Sequence, residues 1–303
     1  IVGKLVLYNS LGGFVGPVLA GFFLLDIAGL WNSIKIIALL YGILALLIAF
    51  PSYRKKKIFF LLWPVVVILG IMVLENPPIV KLENGEKVLD YWQSSDGVVS
   101  IVQLPENIEM RLDNFYVLGD SKSFLVEQMQ AHVPLMIHPA PKKVVFLGMG
   151  TGVTAGAALN HEVEKVIAVE LVSNVIPAAK RYFSPWTNGL FKDKRANIVA
   201  DDARNFLLGT NEQFDVIVGD LFTPWHAGTG SLYTLEHFEQ AKKRLSPGGI
   251  FAQWLPLYQL TSENFNTIAA TFAAVYPQVT LWRADFSTTR ASIVLVGQEE
   301  DTQ

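Results

Sequence analysis

Three acids in this chain stand just after apolar runs, and each is of a type that could do chemistry. Glu170 closes the run 166–169, Asp202 comes after the run 196–199, and Asp220 comes after the run 214–218 and a glycine. A carboxylate at a strand end can accept hydrogen bonds from a pair of sugar hydroxyls, or take a proton from an attacking amine. It can also do no more than cap the helix that follows. The feature that favours chemistry is the glycine loop Gly148-Met149-Gly150-Thr151-Gly152, which follows the apolar run 144–147. Glycines let a backbone turn tightly and approach a ligand with no Cβ in the way. Glu170 lies about 20 residues beyond the loop, the spacing at which a nucleotide-binding βαβ unit carries its ribose-binding acid.

Two nucleoside ligands compete for such a site. The dinucleotide fingerprint G-x-G-x-x-G asks for glycine at 153, where the chain has Val153. A G-x-G-x-G loop fits an S-adenosylmethionine site better. The elements that must position the acids point the same way. Helical stretches at 153–160, 172–182, 232–245 and 265–275 alternate with apolar strands at 196–199, 214–218 and 250–254, the pattern of a parallel sheet. Ser246-Pro247-Gly248-Gly249 reads as a stop between helix and strand. The last two strands, 279–283 and 292–296, follow one another with no helix between them. That differs from the dinucleotide fold and suits a methyltransferase-like sheet, whose last strand is antiparallel.

Upstream, 87–118 alternates in the strand manner, with turns at Asp96-Gly97 and Pro105-Glu106-Asn107, and predicts a small antiparallel β unit. Residues 121–137 are helical in pattern, with a disturbance expected at Pro134. Residues 75–81, with Pro77-Pro78, read as a linker. Before the linker come three apolar segments, 5–25, 34–50 and 58–74, each about the length that spans a bilayer. Gly12, Gly13, Gly16 and Gly21 in the first would let membrane helices pack closely. Arg54-Lys55-Lys56-Lys57 falls between the second and third, and the positive-inside rule puts that loop in the cytoplasm.

The 303 residues suffice for two domains, and at 51% hydrophobic with 17% charged the chain is too apolar for an ordinary soluble enzyme. Cysteine is absent, which excludes disulfides, thiol catalysis and Cys-zinc sites; the five histidines show no metal-ligand spacing, and no metal is expected. Residues 1–75 carry six basic and two acidic side chains, leaving 18 of the 24 basic and 25 of the 27 acidic ones for the rest. An acidic globular part disfavours nucleic acid as a partner. The chain starts at Ile1 inside an apolar pattern and reads as a fragment of a longer membrane protein.

The chain resembles the spermidine synthase (polyamine aminopropyltransferase) family over about residues 88–298. The resemblance is carried by His138-Pro139 with Lys142-Lys143, the glycine loop, Val163-Glu164-Lys165-Val166 up to Glu170, Asp202 with Phe206-Leu207, 214–220 and 247–253. The phrase from Asp220 to Tyr233 looks like the membrane-fused branch of that family. The fold implied is an α/β, S-adenosylmethionine-methyltransferase-like (Rossmann-like) sheet with a small N-terminal antiparallel β unit, preceded by transmembrane α-helices. The domains expected are 1–75 (three membrane helices), 76–120 (linker and β unit) and 121–303 (catalytic domain).

The family moves an aminopropyl group from decarboxylated S-adenosylmethionine to a polyamine. The resemblance implies Glu170 on the ribose hydroxyls, Asp202 near the adenine amino group and Asp220 as the acceptor of the amine's proton. Gly148, Gly150, Thr151, Gly152, Glu170, Asp202 and Ala203 are the expected cofactor-binding set. The family's loop Asp that holds the aminopropyl amine is Thr151 here, the acceptor-binding Asp is Thr223, the Gln of its L-D-G-x-x-Q is Val117, and its Tyr-Gln/His-Glu triplet is Val126-Glu127-Gln128. Putrescine turnover is therefore expected to be weak, with Glu127, Gln128, Thr223, Trp225, His226, Tyr233 and Gln253 as a different acceptor pocket. The alternatives are an S-adenosylmethionine-dependent methyltransferase, or a non-catalytic nucleoside-sensing domain of a transporter-like protein. The expected partners are an amine substrate, membrane lipid and a second copy in a homodimer. The expected location is the inner membrane, multi-pass; the Arg54–Lys57 loop by itself would put the catalytic domain outside after one more crossing, and the supply of S-adenosyl donors in the cytosol favours the cytoplasmic face instead.

Overall fold

The computed structural model of the protein describes residues 2–49, 66, 69–222, 228–284 and 290–298. The chain divides into two units, Ile1–Glu83 with Tyr91–Val98, and Asn84–Asp90 with Val99–Gln303.

In the first unit, α1 (Val2–Leu19) runs through a π-helical turn, Ala20–Leu24, into α2 (Leu25–Ala49). The stretch Val2–Ala45 is long and apolar enough to cross a membrane, by length and composition. The polar break expected near 26–33 does not separate two helices by a loop. Only Gly29 leaves the helical region, at φ 71° and ψ 173°. The backbone groups this frees find partners in the same unit: Leu30 N–H donates to Gln93 Oε1 at 2.8 Å, and Ser33 Oγ donates to the Leu24 and Gly29 carbonyls. Ser95 N–H donates to Asp26 Oδ1 at 3.0 Å. The Arg54–Lys57 cluster and most of the expected third span lie outside the described residues.

Four strands, β1 (Lys87–Ser94), β2 (Gly97–Gln103), β3 (Ile108–Leu112) and β4 (Tyr116–Asp120), form one sheet in that order, β2–β3–β4 antiparallel, with β3 and β4 wholly in the second unit. Helix α3 (Phe124–Ile137) follows. It continues through Pro134 without the expected disturbance: the Gln130 carbonyl, which an N–H at 134 would have met, accepts from Trp254 Nε1 at 2.9 Å instead.

The main sheet has seven strands: β5 (Lys143–Leu147), β6 (Lys165–Glu170), β7 (Ala196–Ala200), β8 (Phe214–Gly219), β9 (Leu245–Pro256), β10 (Gln278–Ala284) and β11 (Ser292–Gln298). Their order is β10-β11-β9-β8-β5-β6-β7, with β11 antiparallel to both its neighbours and β9, β8, β5, β6 and β7 parallel. The expected stop at Ser246–Gly249 is absorbed into β9, beside a register shift against β8 at Phe214/Val216. Between the strands lie α4 (Val153–Ala157), α5 (Val175–Tyr182), α6 (Ala203–Gly209), α7 (Leu235–Lys243) and α8 (Ser262–Val275). Helix α4 packs closely because Gly156 has no Cβ; one placed there would stand 2.1 Å from the Thr187 carbonyl oxygen.

One face of this sheet buries Val145, Leu147, Ile217, Phe251 and Leu295 against α7 and α8. Phe272 anchors that layer, with ring centroids 5.1 Å from Phe238, 5.7 Å from Phe251 and 4.7 Å from Tyr276. Such pairs add about 0.5–1.5 kcal/mol each beyond the area they bury. Parallel strands put the carboxyl ends of β5, β6, β7 and β8 on one edge, and every acid singled out in the sequence stands there.

Candidate functional site

The glycine loop opens directly from β5. Gly148, Gly150 and Gly152 all have positive φ, at 97°, 53° and 80°. At Gly148 the need is double, because a Cβ there would also stand 3.1 Å from Asp220 Cβ. Asp220 is thus held against the loop. Its N–H donates to the Leu147 carbonyl at 3.2 Å, and its Oδ1 accepts from Leu221 N–H at 2.7 Å. Burial raises the Asp220 carboxyl to about 6, against the Leu221 hydrogen bond, and the charge of Glu170 adds to the rise. A carboxylate titrating near neutrality can take a proton from an amine in one step and release it in the next.

Glu170 is 7% exposed and serves the loop itself. Its Oε2 accepts from Met149 N–H at 3.2 Å and Gly150 N–H at 3.0 Å, and its Oε1 accepts from Val172 N–H at 2.9 Å. Burial raises its pKa, and these backbone donors pull it back. Asp202 caps α6: its Oδ1 accepts from Arg204 and Asn205 N–H at 2.7 and 3.2 Å, with Ala203 as the first helical residue. The helix-cap reading of Asp202 is therefore realised, through one carboxylate oxygen.

The expected acceptor residues fall into three groups. Glu127, Tyr233 and Gln253 stand near Asp220. Gln253 is fully buried and donates to the Asp220 carbonyl at 3.3 Å; Tyr233 donates to the Phe222 carbonyl at 3.0 Å and packs edge-on to the Phe222 ring. Glu127 bonds to the loop instead, accepting from Thr151 Oγ1, with its other oxygen 3.3 Å from Asp120 N–H. Burial raises Glu127 to about 8, and the charges of Asp220 and Asp120 push the same way. Gln128 donates to the Trp186 carbonyl at 3.5 Å. Thr223, Trp225 and His226 lie outside the described residues.

Sequence reasoning passed over Asp120, Tyr116 and Tyr258. Asp120 is buried and takes the N–H groups of Lys122 and Ser123 and the Ser123 hydroxyl. Tyr116 donates to the Leu221 carbonyl at 3.5 Å, and the Tyr258 hydroxyl lies within the field of Asp220. Asp120 had a legible signal, since Gly119-Asp120 ends a strand as Gly219-Asp220 does. The tyrosines belong to no spacing pattern.

Among the described residues, no lysine or arginine forms an ion pair with Glu127, Glu170 or Asp220. A partly buried group of carboxylates without a cation is an arrangement that a positively charged ligand would complete.

Known proteins match this region. The family model for the spermine/spermidine synthase domain covers residues 123–291. A polyamine aminopropyltransferase of Aeropyrum pernix is 31% identical over 208 residues, 66% of each chain. One from Thermotoga neapolitana is 33% identical over 168 residues, 55% of this chain and 56% of that one. The chain thus spans roughly half to two thirds of the length of these curated relatives. A crystal structure of spermidine synthase in complex with the transition state analogue AdoDATO superposes with a TM-score of 0.65 at 27% identity, covering 71% of this chain and 74% of that one. Spermidine synthase from Thermotoga maritima gives a TM-score of 0.63 at 26% identity, covering 71% and 74%.

Proposed function

The chain belongs to the spermine/spermidine synthase family, and from that premise we propose that it transfers an aminopropyl group from decarboxylated S-adenosylmethionine to an amine. The observation that carries this reading is Asp220, a carboxylate raised to about 6 and held against Gly148 of the glycine loop. An ammonium has no lone pair, so the acceptor must lose a proton before it attacks. Asp220 takes that proton. The freed nitrogen then bonds to the methylene beside the sulfonium. The carbon–sulfur bond breaks with its electron pair on sulfur, which leaves neutral methylthioadenosine.

Glu170 contributes twice in this reading. It holds the loop amides in place and offers its remaining lone pairs to the ribose diol. Asp202 caps α6 with one oxygen and turns the other toward the adenine amino group, beside Ala203. Gln253 and Tyr233 brace the segment after β8, at whose head Asp220 stands; Thr223, Trp225 and His226 are proposed for acceptor binding from the sequence alone. Putrescine is a weak acceptor in this reading, since Thr223 stands where the resemblance implies an acceptor-binding Asp.

The apolar stretch Val2–Ala45 supports a membrane-anchored protein of the membrane-fused branch. We place it as multi-pass in the inner membrane, with the transferase domain in the cytoplasm, where S-adenosyl donors are made. The activity is tested by comparing wild type with Asp220→Asn, which keeps the shape and cannot take the proton. Turnover should fall about 10²-fold or more with donor binding retained; equal turnover would remove Asp220 from the chemistry.

A further inference from the structure

Glu127 is an acid of the site that bonds to the glycine loop by its side chain and has no cation beside it among the described residues. It stands in the first turn of α3, partly buried. Its oxygens accept from Thr151 Oγ1 and from Asp120 N–H at 3.3 Å, and no lysine or arginine pairs with it among the described residues. The charged groups that act on it, Asp120 and Asp220, are both acids and raise it further. A neutral glutamine would keep both hydrogen bonds without the burial cost, so a buried acid here costs stability in the absence of a cation.

Its position says where that cation would come from. Glu170 holds Met149 and Gly150 of the loop, Asp220 lies against Gly148, and Glu127 holds Thr151. The close fit is also local: a Cβ on Gly119 would stand 2.8 Å from Glu127 Oε1 and 2.5 Å from Thr151 Cγ2. Glu127 therefore belongs to the loop that would receive the donor, rather than to the acceptor pocket in which the sequence had put it. Taking the proposed function as given, we propose that Glu127, oriented by Thr151, holds the primary ammonium at the end of the donor's aminopropyl chain and so selects the decarboxylated donor over S-adenosylmethionine. The same carboxylate faces, in intact S-adenosylmethionine, a second carboxylate on the same carbon as the amine, and repels it.

The test is calorimetric titration of the full chain in detergent with three probes: decarboxylated S-adenosylmethionine, S-adenosylmethionine, and methylthioadenosine, which has no amine. Wild type should bind the decarboxylated donor at least about tenfold more tightly than S-adenosylmethionine, as expected for a charge-assisted hydrogen bond. Glu127→Gln should lose about tenfold or more for the decarboxylated donor, with methylthioadenosine unchanged. Adding Thr151→Asp to Glu127→Gln returns a carboxylate to the loop and should recover much of the lost affinity, a gain that a misfolded variant would not give. Equal loss for all three probes, or no loss for the decarboxylated donor, overturns the role of Glu127 and leaves the transferase reading standing. Failure of wild type to bind methylthioadenosine at all overturns the nucleoside site and this inference with it.

Discussion

Replacing Glu170 separates its two duties, because the three hydrogen bonds it accepts are unequal in what a substitute can keep. Glu170→Gln retains one acceptor oxygen, which can still serve Met149 and Gly150 N–H, now at 3.2 and 3.0 Å. Its amide nitrogen then meets Val172 N–H donor to donor, where 2.9 Å separates donor and acceptor today. One opposed, buried donor costs about 1–3 kcal/mol. Relief of the buried charge offsets part of that. A net loss of about 1–2 kcal/mol should lower Tm by roughly 2–6 °C in a domain of this size. Glu170→Ala leaves all three N–H groups without their acceptor and should melt lower still. The ribose diol also loses an ionised acceptor, so nucleoside affinity should fall about tenfold or more in both variants. Thermal unfolding with and without methylthioadenosine reads both quantities, since ligand raises Tm only where it binds. If Glu170→Ala melts with wild type and gains as much from the ligand, Glu170 neither holds the loop nor meets the sugar.

Three more outcomes are expected. The rate constant for donor consumption should rise between pH 5 and 7 with an inflection near 6, as Asp220 ionises, and Asp220→Asn should abolish that inflection while leaving the low-pH rate in place. Glu127 is raised to about 8 from an ordinary 4.5, so the folded chain holds a proton that the unfolded chain releases. Its stability should therefore fall as pH rises from about 5 to 8, and Glu127→Gln should flatten that slope and melt higher than wild type at pH 8, as followed by circular dichroism. Phe272→Ala should cost about 3–5 kcal/mol in denaturant unfolding, because it empties the centre of the aromatic layer between Phe238, Phe251 and Tyr276; a loss under 1 kcal/mol would mean that the layer closes over the gap.

Much of this was legible because parallel sheets write themselves in apolar runs and place their acids at strand ends. The glycine loop, Glu170 and Asp220 needed only local patterns, and the helix-free step from β10 to β11 revealed the antiparallel end of the sheet. What was hidden depended on contacts between distant segments. Nothing in the spacing says that Glu127 reaches Thr151 across 24 residues, or that Gln93 caps the break at Gly29 across 63. The stop expected at Ser246–Gly249 became an irregularity within β9: β8 pairs with Leu245 and next with Ile250, and the register skips the four residues between, where Gly248 has φ 76°. Pro134 misled because of another distant contact: the Gln130 carbonyl it leaves free is met by Trp254 Nε1 from 124 residues away.

The central claim is that a nucleoside site built on the glycine loop passes an alkylamine from sulfur to nitrogen. It is tested most directly by incubating the full chain with decarboxylated S-adenosylmethionine and a panel of di- and polyamines, then resolving the products by chromatography and mass. The account predicts methylthioadenosine in equal amount to an aminopropylated amine, weakly with putrescine and more strongly with another acceptor, and its loss in Asp220→Asn. S-adenosylhomocysteine from intact S-adenosylmethionine, or bound donor without any product, would contradict it.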